Sequence, residues 1–156
     1  MNNESQFEMI KRLELDKKTH YELVKYCGEK IMFLSTPFDT ESIDLLNSLE
    51  IPIFKIPSGE ITNLPFLKKI AGLNKKVILS TGMSTLEEVS TAIKILLKGG
   101  LDKDDLIVLH ATSEYPCPIN EVNLLAMNTL GKKFNIKFGY SDHTEGIVVP
   151  ISAVAL

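Results

Sequence analysis

The chain has 156 residues, of which 44% are hydrophobic and 24% charged, and its formal net charge is -3. That suits a soluble globular domain with a sizeable core, and the slight acidity excludes a broad basic surface for nucleic acid. Arg12 is the sole arginine, so beyond it any anion must be held by lysine, hydroxyls and backbone N–H groups rather than by a guanidinium fork.

The opening MNNESQFEMIKRLE is polar and charged, unlike a signal peptide. Residues 17–30 read as a helix, and IMFLST (31–36) as the first of five apolar, β-branched segments. Asp39 and Thr40 can cap a helix carrying Ile43, Leu45 and Leu46. IPIFKIPS (51–58) is the second strand. Asn63 then precedes LPFLKKIAGL, with Pro65 in the first turn, where its missing N–H costs little. KVILSTG (76–82) is the third strand. Ser84 and Glu87 have capping-box spacing ahead of Leu86, Val89, Ile93 and Leu96, and Gly99 with Gly100 stops that helix. LIVLHAT (106–112), a weaker helix over 121–130 and IKFGYSD (136–142) follow. GIVVPISAVAL (146–156) is too short to cross a bilayer and reads as a core helix running to the last residue, so no membrane association is expected. Cys27 and Cys117 have neither metal-ligand nor disulfide-framework spacing, so reduced thiols and a cytoplasmic location are expected.

Alternating strands and helices predict an α/β fold with a parallel sheet and crossover helices. All five strands end in polar residues (Thr36, Ser58, Ser80, His110 with Thr112, and Asp142 with His143), which favours a (β/α)8 barrel over a doubly wound sheet. No Gly-rich nucleotide loop follows the first strand. Five strands cannot close such a barrel, so residues 1–156 are expected to be one partial TIM-barrel domain, an interior portion of a larger barrel. Unpaired edges at 31–36 and 136–142 would then invite association into a homo-oligomer.

Lys55 interrupts an apolar strand. It reads either as a lysine whose stem lies on apolar surface with its ammonium in water, or as a counter-ion to a bound anion. Thr36, Ser58 and Ser80 would place three hydroxyls around the same mouth, although each alone is equally a cap or turn residue. Glu60 is either a solvated loop carboxylate or an acid/base group. His143 is either structural or one ligand of a divalent metal. In TSEYPCP (112–118), Tyr115 either packs inward or offers ring and hydroxyl to a sugar, and Cys117 has no evident partner base. His110 reads as a hydrogen-bonded core residue and His20 as a helix-surface one.

FLSTPFD, KIPSGE, ILSTGM, TSEYPCP and GYSDHT, in that order, resemble the sialic acid synthase family, the N-acetylneuraminate, legionaminate and pseudaminate synthases, from about residue 5 to residue 156. The resemblance implies condensation of phosphoenolpyruvate with an N-acetylated hexose, N-acetylmannosamine or a relative, to a nine-carbon 2-keto sugar acid with phosphate release. It implies Mn2+ or Mg2+ as cofactor. Residue by residue, it puts Lys55, Thr36, Ser58 and Ser80 on phosphoenolpyruvate. Ser113 joins them, falling where some sialate synthases have asparagine. Glu60 falls near the reacting carbons, Tyr115 on the amino sugar and His143 on the metal. The family's flanking barrel strands, its second metal histidine and its C-terminal antifreeze-like domain have no counterpart here. Two rivals stand beside this reading: a Schiff-base aldolase using Lys55, and a non-catalytic truncated fragment.

Overall fold

In the computed structural model, which describes residues 5–28 and 30–156, the chain divides into two units, Met1–Phe33 and Leu34–Leu156. In the first, Ser5 and Glu8 cap each other's backbone N–H groups and start α1 (Gln6–Leu13). That helix was not expected, although Ser5-x-x-Glu8 is a capping-box spacing. Asp16 caps α2 (Lys17–Cys27) by accepting from the Thr19 N–H at 2.7 Å, and Gly28, at φ 51°, ends it. The helix expected over 17–30 is therefore three residues shorter, and Glu29 lies outside the described residues. His20, half-buried on α2, meets the Phe33 ring edge-on.

The second unit runs α3 (Thr40–Ser48), β1 (Ile53–Ile56), α4 (Leu64–Ala71), β2 (Lys76–Ser80), α5 (Leu86–Lys98), β3 (Leu106–Ala111), α6 (Leu125–Phe134), β4 (Lys137–Ser141) and α7 (Val148–Ala155). The strands are parallel and lie in chain order, β1-β2-β3-β4. Because β–α–β crossovers are right-handed, an order that never reverses stacks the crossover helices on one face. A doubly wound sheet instead reverses its order and carries helices on both. The winding is that of a (β/α)8 barrel.

Alternation does the rest. Phe54, Ile56, Val77, Leu79, Leu106 and Val108 are fully buried. They meet a layer that includes Phe66, Leu67 and Ile70 of α4 and Val89, Ala92 and Leu96 of α5, all almost inaccessible. Asn63 caps α4, with Pro65 in its first turn as expected. Gly131 of α6 lies against the Phe138 ring of β4, where an added Cβ would collide with it.

Several expectations are corrected. Residues 31–36 form no strand: they carry no ladder bonds, straddle the two units, and leave Ile31, Met32 and Leu34 exposed. The sheet of the described residues thus has four strands: the edge expected at 136–142 is present as β4, and the other edge is β1 rather than 31–36. Thr85 with Glu88, not Ser84 with Glu87, forms the α5 capping box, because the Ser84 hydroxyl is used on the Gly82 carbonyl. The helix expected at 121–130 is α6, displaced to Leu125–Phe134 and ended by Asn135 in the left-handed conformation. α7 is a helix but not a core one: Val149 alone of its residues is buried, and Val148, Ile151 and Val154 are 70, 62 and 89% exposed. Among the described residues no helix is long and apolar enough to cross a membrane.

Candidate functional site

β1 sends Phe54 and Ile56 to the helices, so Lys55 projects from the opposite face. In register it lies in a row with Ile78 of β2 and Ile107 of β3. It is half-buried, and among the described residues it makes no hydrogen bond or ion pair. Ser80, two positions beyond Ile78, shares that face one row nearer the carboxyl ends of the strands. Its side chain is 3% exposed and its hydroxyl has no hydrogen-bond partner among the described residues. An unsatisfied buried hydroxyl costs about 1–3 kcal/mol.

Two more hydroxyls converge just past these ends. The chain leaves β2 through Thr81 and the buried Gly82. A Cβ added at Gly82 would collide with the Ser113 Oγ and stand 3.0 Å from the Ser58 Oγ. Ser58 follows β1 and Ser113 follows β3, so hydroxyls from the two strands flanking β2 meet over this glycine. Gly82 was not singled out from the sequence. Its signal was present in STG at a strand end, where a missing side chain lets a ligand or a neighbouring chain come close.

Glu60 closes the 3-10 turn Ser58–Glu60, and its carboxylate accepts from the Asn63 side-chain amide at 2.6 Å. Because Asn63 also caps α4, a secondary-structure element fixes the carboxylate's orientation. Thr36 is not at a strand end, as had been expected. It is half-buried in the irregular segment leading to the Asp39 cap of α3.

Tyr115 and His143 come together on the next two loops. Their ring centroids are 4.0 Å apart with the planes inclined by 32°. The His143 carbonyl accepts from the Cys117 N–H at 2.7 Å, and His143 Nδ1 pairs with the Thr112 carbonyl. Only an N–H can pair with a carbonyl, so Nδ1 carries a proton, which leaves Nε2 as the ring nitrogen that can offer a lone pair to a ligand. That tautomer fits a metal ligand, oriented by a backbone carbonyl as ligating histidines usually are. Among the described residues, however, no cluster of three or more His, Cys, Asp or Glu could complete a metal site, so His143 is one ligand and not a set. Tyr115 is 76% exposed, its ring face and hydroxyl available outside the core.

His110 points toward the helices, as a core residue should, but among the described residues it is not hydrogen-bonded as expected: its Nε2 is buried without a partner there, and burial pushes its pKa down. It lines a cavity of about 470 Å³ between α5, α6 and the ends of β2 and β3. None of the expected site residues lines that cavity; Lys55 and Ser80 lie on the other face of the sheet.

Residues 1–156 match the NeuB family throughout. The N,N'-diacetyllegionaminic acid synthase of Campylobacter jejuni is 58% identical over 156 residues, 99% of this chain and 47% of that protein. A crystal structure of N-acetylneuraminic acid (sialic acid) synthetase from Leptospira borgpetersenii, in complex with citrate, superposes with a TM-score of 0.90 at 35% identity, covering 99% of this chain and 54% of that one. The phospho-2-dehydro-3-deoxyheptonate aldolase of Thermotoga maritima shares the fold, with a TM-score of 0.73 at 19% identity over 89% of this chain and 43% of that one. The chain spans about half the length of the curated relatives it matches. By sequence along its whole length, and by fold, the chain belongs to the NeuB family.

Proposed function

We propose that the whole protein condenses phosphoenolpyruvate with an N-acetylated hexose to a nine-carbon 2-keto sugar acid of the sialic type, releasing phosphate. The observation that carries this is the convergence of the Ser58 and Ser113 hydroxyls over Gly82, beside the unpartnered Ser80 hydroxyl and, on the same face of the sheet, Lys55 without a counter-ion among the described residues. A phosphate needs several donors and one positive charge, which is this combination. The synthase names of the relatives point the same way.

In this reading Lys55, Ser58, Ser80 and Ser113 hold the phosphate, and Thr36 belongs to the same set. C3 of the enol attacks the sugar aldehyde carbon, forming the new C–C bond, and the aldehyde oxygen takes a proton to become a hydroxyl. Water adds at C2, and the resulting tetrahedral carbon expels phosphate by C–O cleavage, leaving the ketone. The phosphate stays in one place throughout, so its ligands supply positioning and then stabilise the departing charge. Glu60, held by Asn63, is the acid/base group beside the reacting carbons. The exposed face of Tyr115 takes the amino sugar. His143 Nε2 is one ligand for Mn2+ or Mg2+, which when bound supplies Lewis-acid polarisation of the aldehyde.

The test is phosphate release from phosphoenolpyruvate by the whole protein, with Mn2+ and with N-acetylmannosamine or a related N-acetylated hexose. Release that depends on both the sugar and the metal is expected. Failure with every such sugar would overturn the assignment.

A further inference from the structure

His110 and Tyr140 are register partners on β3 and β4, with ring centroids 5.8 Å apart and planes inclined by 41°. Each has a buried polar atom, Nε2 in one and the phenol oxygen in the other, without a hydrogen-bond partner among the described residues. Two such atoms on neighbouring side chains form a natural pair, since buried polar groups are nearly always satisfied. Asp142 lies two residues beyond Tyr140, close enough for its charge to add to burial in raising the Tyr140 pKa, with a smaller contribution from Cys117. The Asp142 Oδ1 accepts from the N–H and the hydroxyl of Thr144, at 3.0 and 2.9 Å. Among the described residues its other oxygen accepts no hydrogen bond and can take a further donor.

Donor counting fixes the direction. A carboxylate only accepts, so the single phenol proton goes to Asp142, and the phenol oxygen is then left to accept from His110. We propose that His110, Tyr140 and Asp142 form a buried relay, Nε2–H to phenol oxygen and phenol O–H to carboxylate, direct or through one trapped water, that positions the loops carrying Ser113, Tyr115 and His143. The hydrogen bonds close a ring around these loops. Asp142 holds Thr144, the intervening His143 holds the Thr112 carbonyl and the Cys117 N–H, and Thr112 lies two residues beyond His110. Tyr140 and His110 are thus positioning residues. Their effect on turnover rests on the synthase reading, whereas the relay itself does not.

The experiment is 1H–15N correlation spectroscopy of the imidazole nitrogens in the whole protein, wild type and Tyr140→Phe. In the wild type His110 should be neutral and fixed in the Nε2–H tautomer, opposite to that of His143, with a protected N–H signal. Tyr140→Phe, which removes the oxygen alone, should abolish that protection and raise KM for the amino sugar about tenfold, with kcat within threefold. An Nδ1–H tautomer for His110, an averaged one, or an unchanged imidazole spectrum in Tyr140→Phe would overturn the relay. An altered spectrum with unchanged KM would overturn its positioning role. Should Tyr140→Phe fail to fold, the wild-type tautomer still decides. A wild type that releases no phosphate would refute the proposed reaction and leave the tautomer result standing.

Discussion

Gly82→Ala adds one methyl group where three strand ends meet. The Gly82 backbone is not in the left-handed region, so alanine meets no backbone strain there and the effect is one of contact alone. The new Cβ would collide with the Ser113 Oγ and lie 3.0 Å from the Ser58 Oγ, tighter than an ordinary van der Waals contact. Ser113 is half-buried in a loop, so its hydroxyl can rotate away at a folding cost no greater than the low end of overpacking, about 1 kcal/mol. A hydrogen bond to a charged group is worth about 1.5–3 kcal/mol, so removing this donor from a phosphate should raise KM for phosphoenolpyruvate roughly tenfold to a hundredfold. Steady-state phosphate release against phosphoenolpyruvate concentration reads the first effect, and thermal unfolding the second. Ser113→Ala should produce a similar rise by removing the same hydroxyl, and the double variant should fall short of the sum. A KM within twofold of wild type for Gly82→Ala, in a folded protein, would refute the convergence of these hydroxyls on the substrate.

Lys55→Ala should raise KM for phosphoenolpyruvate by about 1.5–3 kcal/mol in free-energy terms, with little change in unfolding temperature. Incubation of the wild type with pyruvate and borohydride should leave its mass unchanged, and an adduct mapped to Lys55 would favour the Schiff-base aldolase instead. Gly131→Ala should destabilise the fold by about 1–3 kcal/mol in denaturant titrations, because its Cβ would overlap the Phe138 ring; an unchanged midpoint would show that α6 and β4 are not so closely packed. Asp39→Ala should cost about 1 kcal/mol at neutral pH through loss of the α3 cap. The backbone N–H of Ser42 is the main cause holding the Asp39 pKa below its ordinary 3.8. That contribution is therefore present above pH 3.8 and lost as pH falls through the lower folded value. Stability of parent and variant measured down the acid range should converge, and a constant gap would show that the charge on Asp39 does not matter.

What was legible in the sequence follows from how local each signal is. Four of the five expected strands are present, since an apolar β-branched run bounded by turn residues is self-contained evidence. The fifth run, 31–36, has the same composition, but a strand exists only with a partner to bond, and nothing within six residues reveals whether one is present. Asp39 was correct as a cap because its partner lies three residues away. The α5 box slipped by one residue because S-T-L-E-E offers two registers, and only the Gly82 carbonyl decides between them. At the site, Ser58 and Ser80 announced themselves as polar residues at strand ends, and Lys55 as a charge inside an apolar strand. Gly82 showed only as the glycine of STG at a strand end; what approaches it, the Ser113 hydroxyl 31 positions later, is not displayed by the local sequence. The pairing of Tyr115 with His143 across 28 positions is likewise a product of the sheet register, which no spacing in the chain displays.

A lysine inside an apolar strand finds its explanation in the parity of the sheet. Phe54 and Ile56 face the helices and are fully buried, where a charge would be prohibitive without a partner. Lys55 takes the alternate position, half-buried against the row of Ile78 and Ile107, where its stem covers apolar surface and its ammonium need not be desolvated. That suffices for the lysine alone. It does not account for Ser80, which shares the face of Lys55 and buries its hydroxyl there with no partner among the described residues, nor for a glycine that lets Ser58 and Ser113 converge. Each would need its own explanation if the site were only structural: a strand-end hydroxyl, a turn glycine, a snorkelling lysine. One phosphate would supply acceptors for the three serine hydroxyls and the missing charge for the lysine together. For that reason the substitutions that should separate the two accounts are those at Gly82 and Lys55, which a structural reading predicts to be nearly silent in KM and an anion site predicts to be costly.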